Sequence, residues 1–217
     1  MSDKSEFKKI QKIKDKIKNI KTELIEYLKN SDPIIRLEAL NALGLFYDGD
    51  IDRAILSSLN DKDELVKTEA LDNIILPKNP DKVFKKIAKL LNEKSWLVQA
   101  YAIDALAYNN AKKYKTKIKK LLKKNINEEL KVRVYYALYV FGEHKFLNKL
   151  LNMLSNKNYR VRCAVANYLI EICNKKNNKI IKNKLSKALK TEKTKATKSS
   201  FRLALKYCRN IYIDPYR

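Results

Sequence analysis

The chain has 217 residues, enough to bury a sizeable core, and its three Gly and four Pro are too few for a sheet protein built on many tight turns. No apolar leader is expected after Met1, and the longest uncharged apolar run, residues 134–142, is far shorter than a membrane span. The formal charge of +24 is uneven: residues 1–30 carry +4, residues 31–80 carry −5 and residues 81–217 carry +25, a field suited to a polyanion or an acidic partner.

The first predicted element is a long helix, in which Ile10, Ile13, Ile17, Ile20, Leu24 and Tyr27 alternate spacings of three and four opposite a Lys-rich face. It is expected to cap the open end of a helical core. From Asn30 onward one phrase recurs five times: Asn or Ser with acids, a short spacer, an aliphatic residue followed by a long polar one, then small apolar residues. Aligned on Ile35, Val66, Val98, Val132 and Val161, the copies lie 31, 32, 34 and 29 residues apart, and a degenerate sixth centres on Ala196.

Within each copy the apolar positions fall at the anchor and four, five and eight residues later, as in Ile35, Ala39, Leu40 and Leu43 or Val98, Ala102, Ile103 and Leu106. That is one helical stripe, and the small residue at Ala39, Ala70 and Ala102 permits close helix crossing. A second amphipathic run precedes each later copy, at 51–59, 80–91, 114–124, 145–154 and 180–189. Ser31, Asp32 and Pro33 read as a helix start, while Asp48-Gly49-Asp50 and Pro77-Lys78-Asn79-Pro80 read as breaks between pairs.

No pair buries its stripe alone, so stacking follows. The predicted fold is all-α: an α-solenoid, a right-handed superhelix of about six antiparallel helix pairs with an N-terminal capping helix. It is expected to form a single domain over 1–217, with the basic first helix in 1–29, repeats in 30–205 and a tail in 206–217. Cys163, Cys173 and Cys208 are odd in number and lack a CxxC spacing, so they are expected to be reduced thiols with a structural role in a cytoplasmic protein.

In such an array the second helices line the inner wall, with positions three, six, seven and ten after the anchor facing the groove. These read Glu38, Asn41, Glu69, Asp72 and Asn73, then Tyr101, Asp104, Tyr108, Tyr135, Tyr139, Asn167 and Tyr168, a change from acidic to tyrosine-rich. Tyrosine offers large contact area at small entropic cost, and Arg133, Arg162 and Arg202 add positive charge. Lysines crowd residues 112–124, with Lys113, Lys117 and Lys120 the strongest candidates, and ten more fall in residues 175–198; their apolar interleaving places them on solvent faces, which is all that phosphate neutralisation requires. Catalytic machinery is missing from the pattern: His144 stands beside Glu143 at a turn without a partner at metal spacing, Gly44, Gly49 and Gly142 form no phosphate loop, and no GxSxG occurs. Neither metal nor cofactor is expected.

The phrases DPIIRLEALNALG from Asp32 and NYRVRCAVANYL from Asn158 resemble the second helix of HEAT and HEAT-like, phycobilin-lyase-type repeats, which reads acid, spacer, Val-Arg, two small residues and Leu. The resemblance covers about residues 20–205 and implies a non-enzymatic scaffold whose concave face binds another protein, with DNA or RNA as the alternative partner. Arg follows the anchor at Arg36, Arg133 and Arg162 but gives way to Lys67 and Gln99, so a regular acid-to-Arg ladder between repeats is not expected. In fold and charge the chain also looks like a family of DNA glycosylases built on a HEAT-like solenoid. That reading would make Asp104, near Trp96 and Tyr101, the electrostatic carboxylate; no residue supports a phycobilin-lyase-type activity.

Overall fold

The computed structural model describes residues 3–46, 49–74 and 79–210, and among these it is helical throughout, without a strand. Its α-helices are α1 Asp3–Tyr27, α2 Pro33–Leu43, α3 Gly49–Ser58, α4 Glu64–Asp72, α5 Pro80–Leu90, α6 Trp96–Tyr108, α7 Lys115–Lys120, α8 Glu128–Val140, α9 Phe146–Asn152, α10 Tyr159–Ile172, α11 Asn178–Thr191 and α12 Lys195–Asn210. The predicted all-α solenoid is what forms, with α1 as the first helix of the first pair. Of the predicted turn residues, Asp48, Pro77 and Lys78 lie outside the described residues, as do residues 211–217. Residues 206–210, read as tail, continue α12. No helix among the described residues is long and apolar enough to cross a membrane.

Each second helix is started by a short polar side chain. The Asp32 carboxylate accepts from the Ile34 amide at 2.9 Å, Asp63 from Leu65 at 2.8 Å, Ser95 from Val98 at 3.3 Å, Asn127 from Leu130 at 2.7 Å and Asn158 from Arg160 at 3.0 Å. Such a cap satisfies an amide that the helix itself cannot, contributing about 1 kcal/mol. The five caps stand 31, 32, 32 and 31 residues apart, a more regular period than the apolar anchors suggest.

This register corrects two alignments. Leu130, not Val132, is the equivalent of Ile35, Val66, Val98 and Val161, each three residues after its cap. In α12 the equivalent is the fully buried Thr197, three residues after Thr194, while Ala196 is exposed. The misalignment has a physical origin: α8 buries Leu130, Val132, Val134, Tyr136, Ala137 and Leu138, a face too wide for apolarity to mark one register. Ile35 is itself exposed, and the buried residue beside it is Arg36.

The chain packs as two compact units, residues 1–105 and 106–217. In the first, α1 lies on α2 and α3, and α4 packs on both α2 and α3. Leu40, Leu43, Leu71, Ile87, Leu91 and Ile103 are fully buried there, each contributing about 1.5–3 kcal/mol of transfer free energy. Ala39, Ala70 and Ala102 are buried as expected. Gly44 stands close to the next helix pair where α2 ends: a Cβ there would strike the tip of the Asn73 side chain, whose amide donates to the Glu69 carbonyl at 2.9 Å, so a larger residue would displace that side chain. The expected cap role of α1 is met only near its C-terminal end: Leu24, Ile25 and Leu28 are half-buried, whereas Ile10, Ile13, Ile17 and Ile20 are exposed.

In the second unit α7 and α9 pack on α8, α11 packs on α12, and α8, α10 and α12 lie side by side. Its fully buried large side chains include Leu106, Ile118, Leu130, Leu138 and Phe201. Cys173, just past α10, and Cys208, near the end of α12, are joined as a disulfide with Cα atoms 6.1 Å apart, which corrects the expectation of three reduced thiols; Cys163 remains free. The pairing follows from the adjacency of α10 and α12, which no local cysteine spacing encodes.

Helix α8 ends in a Schellman turn, with the Glu143 amide donating to the Leu138 carbonyl at 2.9 Å and Gly142 at φ +92°. A side chain at residue 142 would meet open space, so its cost is backbone strain alone. Gly142→Ala is expected to lower stability by about 1 kcal/mol, read as a lower urea midpoint at unchanged m, and Gly142→Asn by less. An equal loss in both variants would contradict the conformational argument.

Candidate binding face

The long polar residue four positions after each cap is Arg36, Lys67, Gln99, Lys131 and Arg162 in turn, so the corrected register replaces Arg133 with Lys131. Arg36 donates through Nε and Nη2 to Asp61 at 2.8 and 2.7 Å, and through Nη1 to the Asn30 and Ser31 carbonyls. Lys67 reaches Glu93 at 3.1 Å. Arg162 grips both Glu192 oxygens at 2.6 and 2.8 Å and donates to the Asn156 carbonyl at 2.7 Å.

In the first and last of these rungs the acid also accepts from the next cap's amide, Asp61 from Asp63 and Glu192 from Thr194. Three acid-to-cation rungs thus join successive pairs within the units, at Arg36, Lys67 and Arg162, and the ladder is interrupted at Gln99 and Lys131, so it is irregular as expected. Gln99 instead folds back to the Glu93 carbonyl at 2.6 Å, and Lys131 pairs with Glu128 of its own helix. Hydrogen bonding from Arg162 holds Glu192 down to about 2. Burial pushes Asp61 up, but the Arg36 guanidinium outweighs it and holds that carboxyl below its ordinary value. Arg36 and Arg162 are therefore joints of the framework.

The tyrosines of the second unit are fixed by neighbours that the sequence does not announce. The Tyr135 ring lies 5.4 Å from Phe146, and Tyr168 lies 4.3 Å from Tyr136. The Tyr139 hydroxyl accepts from Asn177 Nδ2 at 2.8 Å, and its ring meets His144 edge-on at 5.4 Å. Tyr108 is the most exposed of the set. Burial, aided by Glu171 and Tyr108, pushes the Tyr136 phenol up to about 12.

Tyr139, His144, Leu147, Cys173, Asn174 and Asn177, with Lys175 and Lys176, line a cavity of about 690 Å³. Tyr139 and Leu147 give it apolar walls, and the two exposed lysines give it positive charge. Tyr139 follows from the groove positions of the repeat and His144 from its turn, whereas Leu147 and Asn177 carry no signal of the site in sequence. No local pattern marks Asn177: its role depends on the α10–α11 connection meeting α8, where its amide also donates to the Ile172 carbonyl at 2.8 Å.

The lysines of residues 112–124 do not share one helix. They occupy a 3₁₀ turn at Lys112–Tyr114, the short α7 and a second 3₁₀ turn at Leu121–Lys123, with Lys124 just past it. Like charges three and four residues apart disfavour a longer regular helix here. Lys113 and Lys120 are exposed and Lys117 is half-buried, while the Lys113 ammonium stands 5.4 Å from the Tyr114 ring centre. Lys119 bonds Glu143 at 2.7 Å, holding that carboxyl below its ordinary value.

Arg133 is half-buried on α8, and the exposed Arg202 borders a second cavity, of about 410 Å³, with Leu189, Leu205, Lys206 and Arg209. In the first unit Tyr101 and Asp104 are half-buried on α6, and Trp96 is exposed at its start. The predicted set therefore divides, with Tyr101 and Asp104 in the first unit and the others in the second. Among the described residues no group of three His, Cys, Asp or Glu side chains is placed to hold a metal ion.

Residues 146–175, which hold α9 and α10, match the HEAT repeat family. The complex of CpcE and CpcF of phycocyanin lyase from Nostoc sp. PCC7120 is similar in structure, with a TM-score of 0.50 and 14% identity over 85% of this chain and 93% of that one. Two engineered proteins are similar at TM-scores of 0.47 and 0.46, with 18% and 20% identity, each over 88% of this chain and over 97% and 98% of their own. No curated protein matches the sequence. With a HEAT repeat at α9 and α10 and capped helix pairs recurring at the same period before it, the chain is an α-solenoid of HEAT-like repeats.

Proposed function

We propose that this solenoid is a non-enzymatic scaffold that binds another protein through its second unit, with an apolar or aromatic side chain of an acidic segment entering the cavity beside Tyr139. The cavity carries the reading. It is preformed, since Asn177 and His144 hold Tyr139 in place, and its size lies within the range of sites that take a side chain or small ligand. Lys175 and Lys176 complement acids flanking that anchor, while Tyr108, Tyr135, Tyr168, Lys113, Lys117, Lys120, Arg133 and Arg202 extend the tyrosine-rich and basic surface.

Selection of random 12-residue peptides against the whole chain tests this. Peptides combining an aromatic or Leu residue with Asp and Glu should be enriched, and Leu147→Asp and the pair Lys175→Glu/Lys176→Glu should each weaken their binding by about tenfold or more. Enriched peptides that bind these variants as well as the parent would sink the cavity as the contact. Nucleic acid is the competing partner: micromolar binding of duplex or single strands near physiological salt, steeply salt-dependent and lost on reversing Lys117 and Lys120, would replace the protein-binding reading.

A further inference from the structure

Four isoleucines of α1 stand in water although the helix has other surface to bury. Ile10, Ile13, Ile17 and Ile20 are 52%, 58%, 38% and 40% exposed. Their spacing of three, four and three residues is that of a two-stranded coiled-coil seam rather than the broader stripe of a helix lying on a globular core. The residues bordering this seam are Lys9, Lys14, Lys16 and Lys21, with Glu23 beyond them. At the C-terminal end of α1, Leu24 and Ile25, with Leu28 just past it, are half-buried in the first unit, so the helix is anchored at one end and presents its seam at the other.

Charge selects the occupant. A second copy of α1 in parallel register would set Lys9 against Lys14 and Lys16 against Lys21, and an antiparallel copy that matches the whole seam would set Lys14 against Lys14 and Lys16 against Lys16, with only the outer Lys9 meeting Glu23. A lipid surface is a poorer match, because the described apolar stripe is one seam wide and Asp15 interrupts the polar face, where it accepts from Gln11 at 3.2 Å. We infer that the exposed isoleucine seam of α1 docks an amphipathic helix of a partner protein whose own seam is flanked by Glu or Asp. This surface belongs to the first unit and does not depend on the cavity beside Tyr139.

The test titrates the full chain into a fluorescein-labelled synthetic helix of about 28 residues, with Ile and Leu at its seam and Glu flanking them, near physiological salt. The acidic helix should bind saturably, and a twin with Lys in place of Glu at least about 30-fold more weakly. Ile13→Lys/Ile17→Lys should abolish binding while leaving the thermal melt unchanged, since both positions are exposed. That variant adds positive charge, so binding that survives it would be general attraction to a basic protein and would overturn the proposal. So would a failure of the acidic helix to bind, a dimer that this variant dissociates in sedimentation equilibrium, or phosphatidylserine vesicles that bind the seam in place of the peptide.

Discussion

Arg162→Met is expected to destabilise the protein by about 2–4 kcal/mol, the cost of leaving one member of a part-buried, bidentate ion pair without its partner. The Glu192 side chain is 5% exposed and takes two of the guanidinium's hydrogen bonds, while a third secures the Asn156 carbonyl. Removing the guanidinium leaves the carboxylate with only the Lys193 and Thr194 amides, and deprives that carbonyl of its donor, at the junction of α10 with α12. For a chain of this length the melting temperature should fall by roughly 10 °C. Adding Glu192→Gln should recover part of the loss, because the remaining amide carries no buried charge and can still accept from the Thr194 amide.

The pH dependence has a defined sign. Glu192 is held near 2 in the folded protein against an ordinary value of 4.5. Its contribution is therefore fully present above about pH 4.5 and is lost as pH falls toward 2. The gap in melting temperature between the parent and Arg162→Met should be widest near neutrality and close over that acid window. A gap that stayed constant from pH 7 to about 2.5 would show that Arg162 acts through packing alone.

The helix pairs were legible because their signals are local. Asp32, Asp63, Asn127 and Asn158 stand immediately before their helices, and the apolar stripes that follow need only chain periodicity to be read. Registers failed where a stripe widened, as in α8, because Val132 and Leu130 are equally buried and only the cap distinguishes them. The rungs were misplaced for a related reason. Lys67 departs from the Arg of the pattern yet keeps its partner, Glu93, because the geometry asks for a long cation opposite an acid and not for a particular head group.

The binding face was legible only in part. Tyrosines on the second helices follow from the repeat, but the groups that hold them, Asn177 and His144 on Tyr139 and Phe146 on Tyr135, come from neighbouring elements. The free seam of α1 was written plainly in Ile10, Ile13, Ile17 and Ile20. What the sequence does not contain is whether a core waits beneath a stripe, and so a docking seam and a cap read alike.

Reduction of the Cys173–Cys208 bond should cost about 3–4 kcal/mol, the chain-entropy contribution of closing a loop of 35 residues. That loop contains α11 and most of α12, so the bond ties the end of α10 to the last turns of the chain's final described helix. Denatured without reductant, the protein should react as one free thiol, Cys163, and as three after reduction; three thiols in both states would contradict the pairing. Comparing melts of oxidised and reduced parent protein isolates the cross-link, because both sulfurs stay in place. Cys208→Ser would add the burden of a hydroxyl at a fully buried position, whereas half-buried Cys173 tolerates Ser and gives the cleaner substitution. Since Cys173 also lines the cavity beside Tyr139, reduction should weaken peptides that bind there while leaving the acidic helix on α1 unaffected. Equal loss at both surfaces would instead mean that reduction unfolds the protein as a whole.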